Sequence, residues 1–195
     1  MQSRKKNWRS LRFLGDFARN FLSMKITPCS KNDIPNLISV ARQSYKEHYL
    51  HLWYDGGDWY LQNNFTFEQF SKELSDPNAA LFLISEENIS VGFIKLNINK
   101  GYENYSDAEA LELERIYFLK SAAGRGLGKA TIEFIAEFAN QKNKSVVWLK
   151  TMDSAPSVEF YKKVGFTILG DYFLPYQQMK VEYRGMFVMI KALLK

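Results

Sequence analysis

From Met24 onward, apolar residues recur either at helical spacing or in short runs bounded by turn residues. Met24-Lys-Ile-Thr-Pro28 has the alternation of a strand, after which Ser30 and Asp33 offer caps for a helix. Its apolar stripe is Ile34, Leu37, Ile38, Ala41 and Tyr45. Thr66 caps a second helix that carries Phe67, Phe70 and Leu74 and stops before Pro77. Residues 80–85 and 91–98 read as strands, and the polar Glu86-Glu87-Asn88 between them predicts a hairpin. A polar stretch, 99–107, leads to a third long strand over 110–118. Leu127, Ile132, Ile135, Ala136 and Ala139 then mark a helix. A short buried strand over 146–150 follows. Ser154 with Pro156 opens another helix that ends at Gly165, and 166–169 and 183–190 supply the last strands. Segment 49–65 is aromatic and acidic around Gly56-Gly57 and reads as an irregular loop or short helix on the surface. The order β-α-α-β-β-β-α-β-α-β-β predicts a mixed sheet with helices on both faces.

A chain of 195 residues with 46% hydrophobic and 24% charged side chains fits one globular domain. Its net charge of +5 belongs to the leader: residues 1–23 hold Arg4, Lys5, Lys6, Arg9, Arg12 and Arg19 against Asp16. The remaining 24–195 is charge-balanced and has no nucleic-acid footprint. Two units are therefore expected, a basic extension over 1–23 and a domain over 24–195. In the extension, Leu11, Leu14, Phe17, Ala18 and Phe21 recur at helical spacing. That leaves open an upstream extension without consequence, a membrane-surface or targeting helix, and a helix docked on the domain; it lacks the apolar core of a secretory signal. No run of 18 apolar residues occurs. A lone cysteine, Cys29, excludes an internal disulfide and fits a reducing, cytoplasmic compartment. Two histidines, His48 and His51, without a cysteine cluster give no metal site to argue for.

The chemistry concentrates at Gly124-Arg125-Gly126-Leu127-Gly128-Lys129, a glycine turn between a strand and a helix. Glycines let the backbone approach a ligand closely, and the first-turn N–H groups with the positive end of the helix dipole suit a diphosphate. Arg125 and Lys129 add charge there. A P-loop would need glycine at Ala123 and Ser or Thr at Ala130. A dinucleotide fingerprint would need its third glycine one position later and an acidic residue where Lys150 stands. Both nucleotide readings fail.

The stretch Leu113-Glu-Arg-Ile-Tyr-Phe-Leu-Lys-Ser-Ala-Ala-Gly-Arg-Gly-Leu-Gly-Lys-Ala130 resembles motif A of the GNAT family of N-acetyltransferases, [QR]-x-x-G-x-[GA] after a strand. Pro156-Ser-Val-Glu-Phe-Tyr-Lys-Lys-Val-Gly-Phe166 resembles that family's N-x-x-A-x-x-F-Y-x-x-x-G-F segment, in the family's order and separation. The resemblance implies an α/β fold with a mixed, mostly antiparallel sheet of about six to seven strands. It also implies acetyl-CoA as cosubstrate, no metal, and a primary amine as acceptor. Two positions depart: the family's Gln/Arg falls on Ala123 and its Asn on Ser154.

Acetyl transfer to an amine needs a neutral nucleophile, a stabilised oxyanion and a protonated leaving thiolate. An alkylamine of pKa near 10.4 is mostly ammonium at pH 7, and freeing its lone pair costs about 4.6 kcal/mol. Glu112 and Glu114, two apart on the strand before the glycine turn, are expected on one face together with Ile116 and Phe118. The resemblance makes either a candidate base and Tyr161 the candidate acid. For the donor it implies main-chain contacts at Ile116, Tyr117 and Phe118. The same donor site takes in Gly124, Arg125, Gly126, Leu127, Gly128, Lys129, Ser154 and Lys163. For the acceptor, Trp53, Tyr54, Asp55, Asp58 and Trp59 are candidates, with ring faces and carboxylates for a cation. That segment, with Leu113-Glu-Arg-Ile-Tyr117, is similar to bacterial PaiA-type spermidine/spermine acetyltransferases, which points to a polyamine or other small amine. A protein N-terminus or lysine as acceptor, a CoA-binding module without catalysis, and a homodimer stay open.

Overall fold

Ser30 accepts its role as a cap: its backbone and hydroxyl both donate to the Asp33 carboxylate at 2.7 Å, closing a box ahead of the first long helix. The structure, a computed structural model, describes residues 24–193, so the reading of the basic extension over 1–23 lies outside it. In chain order the elements are β1 (Met24–Pro28), α1 (Ile34–His48), α2 (Asp58–Asn64), α3 (Phe67–Ser75), β2 (Ala79–Glu86), β3 (Ile89–Asn97) and β4 (Ala110–Phe118). Then come α4 (Leu127–Gln141), β5 (Val146–Met152), α5 (Ser157–Lys163), β6 (Thr167–Phe173) and β7 (Gly185–Ala192). Thr66 accepts from the Gln69 amide at 3.2 Å and caps α3. The β2–β3 hairpin turns on Glu87 and Asn88, both at positive φ, as a two-residue turn requires.

The sheet has seven strands in the order β1-β2-β3-β4-β5-β7-β6, and its one parallel contact is β4 with β5. That contact is short. Ala110 to Leu113 pair with Val146 to Leu149; beyond them β4 pairs with β3 alone and β5 with β7 alone. The two strands therefore part at their carboxyl ends, where parallel-strand crevices hold ligands. The last strand inserts between β5 and β6, an order that sequence pattern does not reveal.

Two large cores lie on the two faces, with a small third cluster of Ala110, Val146, Trp148 and Val188. On one, α4 and α5 cover an aliphatic cluster that includes Leu111, Leu113, Ile132, Ile135, Val147 and Leu149. On the other, α1–α3 cover an aromatic cluster that includes Phe65, Phe70, Phe93 and Trp53. Each such side chain contributes about 1.5–3 kcal/mol on burial. Segment 49–65 holds the short helix α2, one of the two forms expected of it, but it does not lie wholly on the surface. Leu52, Trp53, Leu61 and Phe65 are all buried, while His51, the turn from Tyr54 to Gly56, Asp58, Gln62 and Asn63 face water.

The β3 register shifts between Lys95, opposite Arg115, and Leu96, opposite Leu113, so Glu114 is the extra residue of a β-bulge. Past it the side-chain alternation changes parity. Glu112, Arg115 and Tyr117 face the aromatic core, while Ile116 and Phe118 turn to the aliphatic one. The expected grouping of the glutamates with Ile116 and Phe118 is thus wrong.

Candidate active site

Where β4 and β5 part, a cavity of about 720 Å3 opens between the two cores. One wall is main chain. Gly124 and Gly126 have φ of +73° and +79°, a region that costs a side chain about 1–2 kcal/mol. Gly126 is the N-cap of α4, a 15-residue helix whose first-turn N–H groups have no partner within the helix. Gly128 sits so close to Phe160 that a Cβ there would lie 3.2 Å from the ring. Gly124, Gly126, Leu127, Gly128 and Lys129 line this wall, with Lys129 mostly in solvent and 4.0 Å from Glu133. The free edge of β4 along Ile116, Tyr117 and Phe118 continues it.

Tyr161 on α5 lines the cavity, packed edge-on against Phe160 and Phe166. Burial, with a smaller push from Tyr49, raises its pKa well above the ordinary phenol value, so it keeps its proton at neutral pH. Thr151 and Ser157, hydroxyls 2.8 Å apart, join the same wall and were not singled out from sequence.

Across the split the polar wall is made of side chains. The Asn97 amide nitrogen donates to Glu112 at 2.7 Å and to Glu114 at 2.8 Å. Lys95 pairs with Glu114 at 2.7 Å and with Glu73 at 3.0 Å, and Arg115 pairs with both of those carboxylates. Burial favours a protonated Glu114, but Arg115 and Lys95 outweigh it and hold the carboxyl below its usual range. Glu112 is more buried, at 4% exposure, and its nearest cation is Lys150 at 3.6 Å. Lys150 also lies over the Tyr172 ring, 4.7 Å from its centre. The aromatic rim is Tyr45, Tyr49, Trp53, Tyr60 and Tyr176. Burial raises the pKa of each of these tyrosines, so all of them enter neutral. Trp53 donates to the Tyr45 hydroxyl at 2.7 Å. Backbone contacts clasp this segment to the β6–β7 loop: Tyr54 N–H to Gln178 at 3.0 Å, and Lys180 N–H to Leu52 at 2.9 Å.

Several expected site residues stand elsewhere. Arg125 does not line the cavity; it reaches Glu86 at 2.8 Å on the β2–β3 hairpin. Ser154 is exposed in the turn before α5, forms no cap and is off the cavity wall, as is Lys163 at the far end of that helix. Asp55 accepts from the N–H groups of Gly57 at 2.9 Å and Trp59 at 2.8 Å, so its carboxylate stabilises the start of α2. Asp58 lies in that helix's first turn, exposed, and Tyr54 is 68% exposed. Trp59 is half-buried behind Trp53 and Tyr176. Sequence reading missed Tyr176; an aromatic after Leu174-Pro175 is its only signal. Among the described residues no cluster of His, Cys, Asp and Glu has metal-site geometry, and no helix is long and apolar enough to cross a membrane.

The family described as Acetyltransferase (GNAT) matches residues 38–166. An uncharacterized N-acetyltransferase from the pepI 3' region of Lactobacillus delbrueckii subsp. lactis is 27% identical over 163 residues, spanning 76% of this chain and 91% of that one. Among solved structures, the PaiA N-acetyltransferase of Thermoplasma acidophilum in complex with coenzyme A superposes with a TM-score of 0.68. It has 21% identity, and the match covers 87% of this chain and 99% of that one. A variant of the spermidine N-acetyltransferase SpeG from Vibrio cholerae gives 0.64 at 14% identity, over 88% and 94% of the two chains. At those identities the structural likeness concerns the fold.

Proposed function

The chain belongs to the Acetyltransferase (GNAT) family, acyltransferases that draw on acetyl-CoA, and from that premise we propose that its acceptor is a primary amine on a small molecule, with a polyamine as the first candidate. The observation that carries this reading is the cavity itself. One opening joins a main-chain anion cradle at Gly126 to a buried carboxylate, Glu112, backed by aromatic faces. A cationic amine finds ring faces at Tyr49, Trp53, Tyr60 and Tyr176 and a carboxylate behind them. The clasp between Tyr54 and Gln178 fixes Trp53 and Met179, which line that end of the cavity, against each other.

In this mechanism the N–H groups of the first turn of α4, with Lys129 at the rim, receive the diphosphate of acetyl-CoA. The open edge of β4 near Ile116 to Phe118 orients the thioester and donates to the developing oxyanion. Glu112, directly or through water, takes the proton of the bound ammonium, and the freed nitrogen attacks the carbonyl carbon. Glu114 is the poorer base, because Lys95, Arg115 and Asn97 hold it as a carboxylate. As the C–S bond breaks, Tyr161 gives its proton to the departing sulfur and the nitrogen sheds its second proton to solvent, from which the phenol is reprotonated; since burial keeps the phenol protonated, the donor form is present throughout the neutral range.

The test is thiol release at saturating acetyl-CoA against spermidine, simple monoamines and peptides. Release with the small amines and not with peptides is expected. Release with peptides alone would replace the acceptor, and CoA binding without any release would reduce the protein to a binding module. In the same assay Tyr161→Phe should lower kcat about 10- to 100-fold with little change in CoA affinity. Unchanged turnover would remove it as the acid.

A further inference from the structure

Glu112 and Glu114 project into one cavity, yet their surroundings are unequal. Glu114 collects Lys95, Arg115 and Asn97. Glu112 has a single short donor, the Asn97 amide at 2.7 Å, since Lys150 stands off at 3.6 Å and shares its charge with the Tyr172 ring. Asn97 itself does not line the cavity; it lies directly opposite Glu112 across the β3–β4 ladder. A carboxylate only accepts, so the amide must turn its NH2 toward the pair, and its two hydrogens serve one oxygen each. The β-bulge at Glu114 keeps both acids within reach of that one amide.

We infer that Asn97 is a positioning residue for the acetyl transfer: it clamps Glu112 and Glu114 as a pair and aims the other oxygen of Glu112, which Lys150 approaches at 3.6 Å, at the acceptor amine. The inference rests on the reading of Glu112 as the base. Two carboxylates this close raise one another's proton affinity, and a hydrogen bond to the charged form lowers it. The charged groups facing the pair are Lys95 on β3, Arg115 on β4 and Lys150 on β5, with Glu73 of α3 behind Lys95 and Tyr172 of β6 behind Lys150. The cations nearest the pair favour Glu114, so for Glu112 the Asn97 bond is the main counterweight to its neighbour's charge. Without it Glu112 loses the one short donor that fixes its orientation.

The experiment is kcat against pH at saturating amine and acetyl-CoA. A base active only when ionised gives a limb that rises with pH. In Asn97→Ala that limb should move up by about one pH unit and kcat at pH 7 should fall about 10-fold. Asn97→Asp, which puts a third carboxylate beside the pair, should move it further, and Asn97→Ser, keeping one donor, should fall between wild type and alanine. KM for acetyl-CoA should stay within about twofold in all three, because the donor wall is untouched. A merely structural asparagine would lower the amount of folded enzyme and leave the limb in place; an unmoved limb in Asn97→Ala and Asn97→Asp overturns the inference. If the alanine variant does not fold, the serine variant carries the same comparison. Glu112→Gln separates the two levels. Full turnover in that variant removes the base and the inference with it, whereas lost turnover beside an unmoved Asn97→Ala limb removes Asn97 alone.

Discussion

At the start of α4 the cavity is walled by backbone, and across the β4–β5 split it is walled by side chains that hold one another. The first wall depends on φ angles of +73° and +79° at Gly124 and Gly126 and on amides that any helix leaves open. The second depends on which face each residue of β3 and β4 presents, and on seven charged or amide groups in contact. A main-chain wall tolerates side-chain loss, because its donors are amides that every residue but proline carries. A side-chain site transmits the loss of any member to the rest.

The largest expected effect breaks the main-chain wall at the point where side chains do matter. Gly126→Val forces a β-branched residue into the left-handed region at the N-cap of α4 and fills the approach to its amides. Calorimetry with CoA at millimolar concentration should show no binding heat, while circular dichroism reports an intact fold. Tight binding by the valine variant would mean that the cradle is elsewhere.

The counterpart on the other wall is Glu73→Ala. Glu73 is 5% exposed and pairs with both Lys95 and Arg115, which are themselves buried. Removing it leaves two buried cations with Glu114 as their one carboxylate partner, at a cost of about 3–5 kcal/mol. In a domain of this size that corresponds to a Tm lower by about 10 °C. A loss of 1 °C or less in thermal melts would show that the network is not a mutually dependent unit.

The same contrast explains what sequence alone could reveal. The glycine turn and the helix after it are local, so their residues announced both the fold and the main-chain wall of the cavity. The strands and the capped helices were legible for the same reason, since Ser30, Thr66 and Glu87-Asn88 act within a few residues of themselves. The side-chain wall is assembled by register between distant strands and by the β6–β7 loop, and no spacing rule placed Tyr176 beside Trp53. One signal was there to be read. Apolar Leu111 and Leu113 are followed by Ile116 and Phe118, a change from odd to even positions that marks the bulge at Glu114. Arg125 shows the opposite failure, because a charge beside a glycine turn looks like part of it, and only the hairpin that brings Glu86 close reveals its partner.

The smallest expected effect sharpens the boundary of the side-chain wall. Asp55 lies in an aromatic, acidic stretch that suggests a cation site, yet its two oxygens accept from Gly57 and Trp59 at the start of α2. A carboxylate so used neutralises open helix amides and complements the helix dipole. Asp55→Ala should therefore cost about 1 kcal/mol of stability, visible as a shift of a few degrees in Tm. KM for the amine should change less than twofold, because the residue does not line the cavity. Asp55→Asn, which keeps one acceptor oxygen, should recover part of the stability. A rise of tenfold or more in amine KM with an unchanged Tm would move Asp55 out of the helix start and into the acceptor site, and the side-chain wall would then extend to the surface turn around Gly56.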